Sequence, residues 1–359
     1  MSVETWPPIP PHELKIAEET TNKRELEWLL DELHEILKDL KHGLEDCYAL
    51  LAPVDPGSTL VVSTHRNEIV KGHVTRVGTR IVKGTLHLRM RTLPPQTFTV
   101  DPDQPIHLGP LGTIHTLLTN AIDFLTLTLS YTDSSNPSSP TSTSRIPAPH
   151  PQPNPSSASS TSKATFISAN LRLLSQALTD ASALLKGPQP LTASDPNWTR
   201  QSCSPAHFLP PTPGPNLSFY WGVQDSSLVL WLRALEPADA PVHFGTKLAL
   251  AIGTTRRLEH DEADQQFRYV CPPAGGELGG GGGGGKEGSI GGGSGASSDG
   301  GDSAWDGKQE LDVFVREKVR VESADPSLLS LSAKLVALGH TLALARRNLA
   351  AVMGEEIDD

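Results

Sequence analysis

Apolar residues return every seven positions at both ends of the chain. Near the start, Leu26, Leu33, Leu40 and Cys47 mark one line, and Leu29, Ile36 and Leu50 follow three residues after the first, second and fourth of them. Near the end, Leu328, Leu335, Leu342 and Leu349 repeat the spacing, with Leu331, Leu338 and Val352 between. Heptad spacing of this kind predicts two long helices whose apolar sides are buried. Leu30, Leu37, Leu44 and Leu51 add a second stripe beside the first seam. Three apolar positions per heptad make a face too wide for a two-stranded zipper; it suits a helix with two neighbours. Asn22 with Glu25 three residues later reads as a capping box, and Pro53 ends the first helix. Asp325 and Pro326 read as the N-cap and first residue of the last one. Gly43 interrupts one seam position.

Between the two helices the period changes. Ile69–Gly72 and Ile81–Gly84 carry the same four residues twelve positions apart, and Leu86, Leu88 and Met90 alternate with His87, Arg89 and Arg91. Period two with turn glycines predicts an antiparallel meander over 58–100. Leu111, Ile114, Leu118, Ala121 and Leu125 restore a helical spacing, and Ile167, Leu171, Leu174, Leu178, Ala181 and Leu185 form another helix. Strands are then expected at Leu217–Val223 and Ser227–Leu235, joined by a hairpin turn, and at Lys247–Ile252 and Gln265–Val270. Val313, Val315, Val319 and Val321 alternate as a last strand before the final helix.

The expected fold is α+β: an antiparallel four-helix bundle built from sequence-distant helices, with one antiparallel β domain at its end. The bundle domain comprises residues 22–52, 110–131, 164–187 and 325–354, and the β domain 58–108, 205–271 and 311–323. The bundle core is expected to hold Leu26, Leu29, Leu33, Ile36, Leu40, Leu118, Leu125, Leu171, Leu174, Leu178, Leu328, Leu331, Leu335, Leu338, Leu342 and Leu349. The stretches 132–163, 188–204 and 272–310 are rich in Ser, Thr, Pro or Gly, with seven consecutive glycines at 279–285. Such composition buries too little apolar surface to offset chain entropy, so these are expected to be disordered loops.

The net charge is −11, which argues against a nucleic-acid binder and against attachment to an anionic membrane by charge alone. The three cysteines, Cys47, Cys203 and Cys271, form no CxxC, and the residues suggest no disulfide framework, metal site or cofactor. No apolar run reaches the length of a membrane span. Asp261–Asp264 spell a helicase box, but no phosphate loop accompanies it: Gly285-Lys286 is followed by Glu287 within glycine repeats. His34-Glu35 lacks a second histidine for a zinc motif, and His65, His73 and His87 read as polar-face strand residues. Catalytic residues are therefore not expected. Trp221, Trp231 and Trp28 are the candidate partner-binding residues, because aromatics are enriched at interface hot spots; core packing is the competing reading for the first two.

Four blocks taken together resemble the Rogdi family, of fungal type: Glu25–Leu44 (ELEWLLDELHEILKDLKHGL), Ile69–Gly78 (IVKGHVTRVG), Leu217–Pro237 (LSFYWGVQDSSLVLWLRALEP) and Val313–Leu349. The resemblance rests on their order and length, since none is a catalytic signature. It implies the small subunit of the RAVE complex, a regulator that joins the soluble catalytic sector of the vacuolar proton ATPase to its membrane sector. The implied partners are a large rabconnectin-like scaffold subunit and, through it, the ATPase soluble sector. The implied location is cytoplasmic, with recruitment to vacuolar or endosomal membranes through partners and no direct insertion. The chain is expected to be monomeric on its own. The competing expectation is a homodimeric leucine-zipper adaptor of another endosomal trafficking complex.

Overall fold

A computed structural model describes residues 10–134, 156–188, 197–211, 216–239, 260–263, 265–271 and 310–355. The elements in chain order are α1 (Pro11–Ala49), β1 (Ser58–Ser63), β2 (Val70–Val77), β3 (Arg80–Leu88), β4 (Gln96–Val100), β5 (Ile106–His107), α2 (Gly109–Ser134) and α3 (Ser156–Lys186). There follow α4 (Trp198–Gln201), β6 (Phe208–Leu209), β7 (Leu217–Gln224), β8 (Ser227–Pro237), β9 (Gln266–Val270), β10 (Glu310–Ala324) and α5 (Pro326–Met353).

α1 starts at Pro11, not at Asn22, and its 39 residues span about 58 Å. The capping-box reading fails because Thr20 and Thr21 turn their hydroxyls back onto the carbonyls of Ile16 and Ala17, so the helix runs through them. Pro10 and Pro11 open it instead, supplying the φ that a first turn needs. Both leucine stripes of α1 are buried: Leu33, Leu40 and Cys47 on one line, Leu37, Leu44 and Leu51 on the other, with Leu29. Leu26 and Ile36 are partly buried against the same core. Two stripes are needed because α1 packs on both α2 and α5. α3 packs on α5 and α2 and, more lightly, on α1. Leu118 and Leu125 of α2, Leu171, Leu174 and Leu178 of α3, and Leu328, Leu331, Leu335, Leu342 and Leu349 of α5 are buried in them, while Leu338 is partly buried. A Cβ at Gly43 would meet the end of the Leu338 side chain, so the glycine leaves room for that leucine against α1.

The expected four-helix bundle with a single β domain is corrected: the described residues form an α+β fold with five α-helices and two antiparallel sheets. The first sheet runs β1-β2-β3-β4-β6, with β5 on β3; the second runs β7-β8-β10-β9. The first three strands and β4 form the anticipated meander, but the second strand block pairs with itself and β10 rather than joining it. One core continues without a break from the helices into both sheets, for it includes Leu40, Leu118, Leu171 and Leu335 as well as Leu86, Phe98, Phe219, Leu230 and Val321. The helices therefore do not close on themselves and hold the strands out; they share an interior with them.

Three polar links hold these layers in register. Asp325 caps α5 through Oδ1, which accepts from Ser327 N at 2.9 Å, while its Oδ2 accepts from Arg76 Nε at 2.6 Å. Both side chains are buried, and Arg76 also donates to the Gly78 carbonyl, so one ion pair ties the first sheet to the start of α5. At the bulge in β10, Glu317 accepts from the backbone N–H of Arg91 at 2.8 Å and of Thr92 at 3.1 Å, joining the second sheet to the turn after β3. Among the helices, Asn170 donates to Thr128 at 3.0 Å, a buried pair between α3 and α2.

The stretch 188–204, expected as loop, contains α4, and Trp198 within it is fully buried. Trp198 packs on Phe267 and Tyr269 with Leu235, Val313 and Val315, a second, smaller core on the outer face of the second sheet. Local proline content concealed it because the burial comes from strands distant in sequence. The edges of 132–163 are also helical, in α2 and α3; the expected strand Lys247–Ile252 and the glycine repeats lie outside the described residues. Against the expectation that no apolar run reaches the length of a membrane span, α5 is long and apolar enough to cross one by length and composition. Leu328, Leu331, Leu335, Leu342 and Leu349 are packed in the core it shares with α1 and α3, while Leu329, Val336 and Leu344 are exposed on its other side.

Candidate interaction surface

The three tryptophans singled out as partner-binding residues do not come together. Trp28 lies on α1 and is 65% exposed. Trp221 lies on the inner face of β7 and is 6% exposed, packed in the main core. Its face is set by strand alternation: Phe219, Trp221 and Val223 point inward, and Tyr220 points out. Trp231 is half-buried on the outer face of β8, opposite Tyr220 on one side and Arg320 of β10 on the other.

Trp231 is ringed by cations. The Lys318 ammonium lies 4.9 Å from the ring centre, and the guanidinium carbons of Arg233 and Arg320 lie 5.5 and 5.7 Å away. Arg233 is fully buried, with Trp198 on it at 4.5 Å, and donates to both carboxylate oxygens of Glu262 at 2.7 and 2.8 Å. Lys318 adds a contact to Glu262 at 2.7 Å and to Asp261 at 2.9 Å. Burial works against ionisation of Glu262, yet the hydrogen bonds and charges of Arg233 and Lys318 hold its carboxyl below the ordinary range. The two described acids of the helicase-box tetrapeptide are thus structural: they pin the 260–263 turn over β8 and β10. Asp264 lies outside the described residues. A bidentate buried pair neutralises charge without offering a reactive group, so this cluster orders a surface in which Trp231 stays partly exposed.

No group of His, Cys, Asp and Glu able to hold a metal ion occurs among the described residues. His73 and His87 sit on the exposed outer face of the first sheet, and His87 Nδ1 is 2.9 Å from the Thr97 hydroxyl. The cysteines are free; burial pushes the Cys47 thiol up to about 11, which makes it an inert core residue. Sequence reasoning missed Trp198, Arg233 and Lys318. A tryptophan inside a proline-rich stretch was the available signal for the first, and the apolar run of β8, broken only by Arg233, for the second.

Against known proteins, no curated relative matches the chain. The family pattern described as Rogdi leucine zipper containing protein matches residues 25–350. From the buried part of α1 to the last turn of α5, every described element of both sheets included, the chain belongs to the Rogdi leucine zipper containing protein family.

Proposed function

We propose that this chain is a non-catalytic subunit of a RAVE-like complex, of fungal type, that promotes joining of the soluble and membrane sectors of the vacuolar proton ATPase. Family membership over residues 25–350 carries the reading, and Rogdi is not a known enzyme family. In this role the chain is a cytoplasmic monomer before assembly, binds a large rabconnectin-like scaffold subunit and reaches vacuolar or endosomal membranes through it. The partly exposed Trp231 and the exposed Trp28 are the aromatic surfaces offered to that partner. Burial of the leucine stripes within one chain supports this reading over a homodimeric zipper, because the residues that would form the seam are already in contact.

Deletion of the gene in its own host tests the proposal. Both ATPase sectors are expected to be present but poorly joined, with an alkalinised vacuole. Normal sector association in the deletion strain rejects it. Affinity purification of the tagged chain should recover the scaffold subunit, and Trp231→Ala should reduce that recovery while leaving the fold intact.

A further inference from the structure

A cleft of about 660 Å³ opens where the first sheet's outer face meets the turns that flank it, lined by Arg66, Lys71, His87, Arg89, Gln96 and Thr97 among others. We propose that this cleft binds a phosphate-bearing anion carrying more than one phosphate group. The proposal does not rest on the role suggested above.

The local charge departs sharply from that of the chain. Residues 65–91 contain seven Lys and Arg against a single acid, Glu68, in a protein whose net charge is −11. Strand pairing then concentrates part of this charge. Lys71 of β2 stands opposite His87 of β3, and His87 opposite Thr97 of β4, so a cation, an imidazole and a hydroxyl form one row across three strands. Arg89 lies at the end of β3, held by its N–H to the Ile69 carbonyl at 2.8 Å. Arg66 closes the other side from a short turn in which its own φ is +61°, a left-handed conformation that a non-glycine residue adopts at a cost. That turn is built by Thr64, whose hydroxyl accepts from the N–H groups of Ile69 and Val70, both at 3.1 Å.

Among the described residues Arg66, Lys71 and Arg89 have no ion pair, in contrast to Arg76, Arg233, Lys318 and Lys334, each of which has its carboxylate. No acid is among the described residues that line the cleft. Two guanidiniums and an ammonium around a polar recess of this size form a donor set for phosphate, with bidentate arginine geometry available to it.

Two probes test the proposal on the full chain: inorganic tripolyphosphate by calorimetry, and flotation on phosphatidylcholine vesicles containing bisphosphorylated phosphatidylinositol, with phosphatidylserine vesicles of equal charge as reference. Binding to tripolyphosphate alone assigns a soluble polyphosphate, and selective flotation on the phosphoinositide vesicles assigns a lipid headgroup; either supports the site. Lys71→Glu and Arg89→Glu should each weaken binding by roughly tenfold or more, the loss of a charge-assisted contact. Lys71→Gln and Arg89→Gln, milder changes at exposed positions, should weaken it in the same order without altering the melt. Lys83→Glu, on the same sheet face but outside the cleft, should change it by less than about twofold. Absence of binding to both probes, retention of binding in the Lys71 and Arg89 variants, or an equal loss in Lys83→Glu would overturn it.

Discussion

Among the described residues buried charge is given a partner, and single residues there are the most sensitive points of the fold. Arg233 and Glu262 are both fully buried, so removing one leaves the other uncompensated. Glu262→Ala is expected to cost about 3–5 kcal/mol, read as a loss of denaturant midpoint. The pair also sets an acid limit. The Glu262 carboxyl is held below its ordinary value of 4.5 in the folded protein. A depressed carboxylate contributes stability that is complete above the unfolded-state value and is lost as pH falls through the folded-state one. Thermal melts should therefore be flat from neutral pH to about 5 and fall below it, and Glu262→Gln should be destabilised at neutral pH but less sensitive to acid. Asp325 holds two roles by geometry alone: it caps α5 and pairs with the buried Arg76. Asp325→Ala should cost more than the ~1 kcal/mol of an ordinary cap, because it strands the buried Arg76 as well.

At the level of the element, α1 has two parts with different roles. Residues 11–22 are exposed on every side, whereas Leu29 through Leu51 are packed on α2 and α5. Deleting the segment before Lys23 should leave the melting temperature nearly unchanged, since it removes no buried surface. Leu37→Asp, by contrast, should unfold the protein or cost several kcal/mol, although Leu37 lies off the primary heptad line. Trp28→Asp on the same helix should stay within about 0.5 kcal/mol of wild type, which calorimetry or chemical denaturation would check. The second leucine stripe is the legible part of this result: two apolar lines on one helix call for two neighbours. Their identity was not legible, because α2, α3 and α5 all present comparable stripes and only packing selects among them.

For the molecule as a whole, the leucine repeats serve one chain. Light scattering should give a monomer mass, and Leu335→Asp should act as a folding defect rather than as the dissociation of a dimer. A dimer that separates on that substitution without unfolding would favour the zipper. The shared interior of helices and sheets makes a further expectation: Leu86→Ala in the first sheet and Leu171→Ala in α3 should each cost about 2–5 kcal/mol and lower a single cooperative transition. Two separate transitions would show that sheet and helices melt independently.

Heptad spacing, period-two alternation and the turn chemistry at Asp225-Ser226 and Asp325-Pro326 sufficed to place the long helices and most described strands, because each is a local demand on backbone and burial. Asp225 and Ser226, for instance, take positive φ in the hairpin turn between β7 and β8 that their positions imply. The number of sheets, the burial of Trp198 inside a proline-rich stretch, and the convergence of Arg66, Lys71, His87 and Arg89 on one cleft were decided by tertiary structure alone. Strand pairing between distant segments, and the neighbours that cover a face, depend on which surfaces meet, and no local pattern encodes that choice.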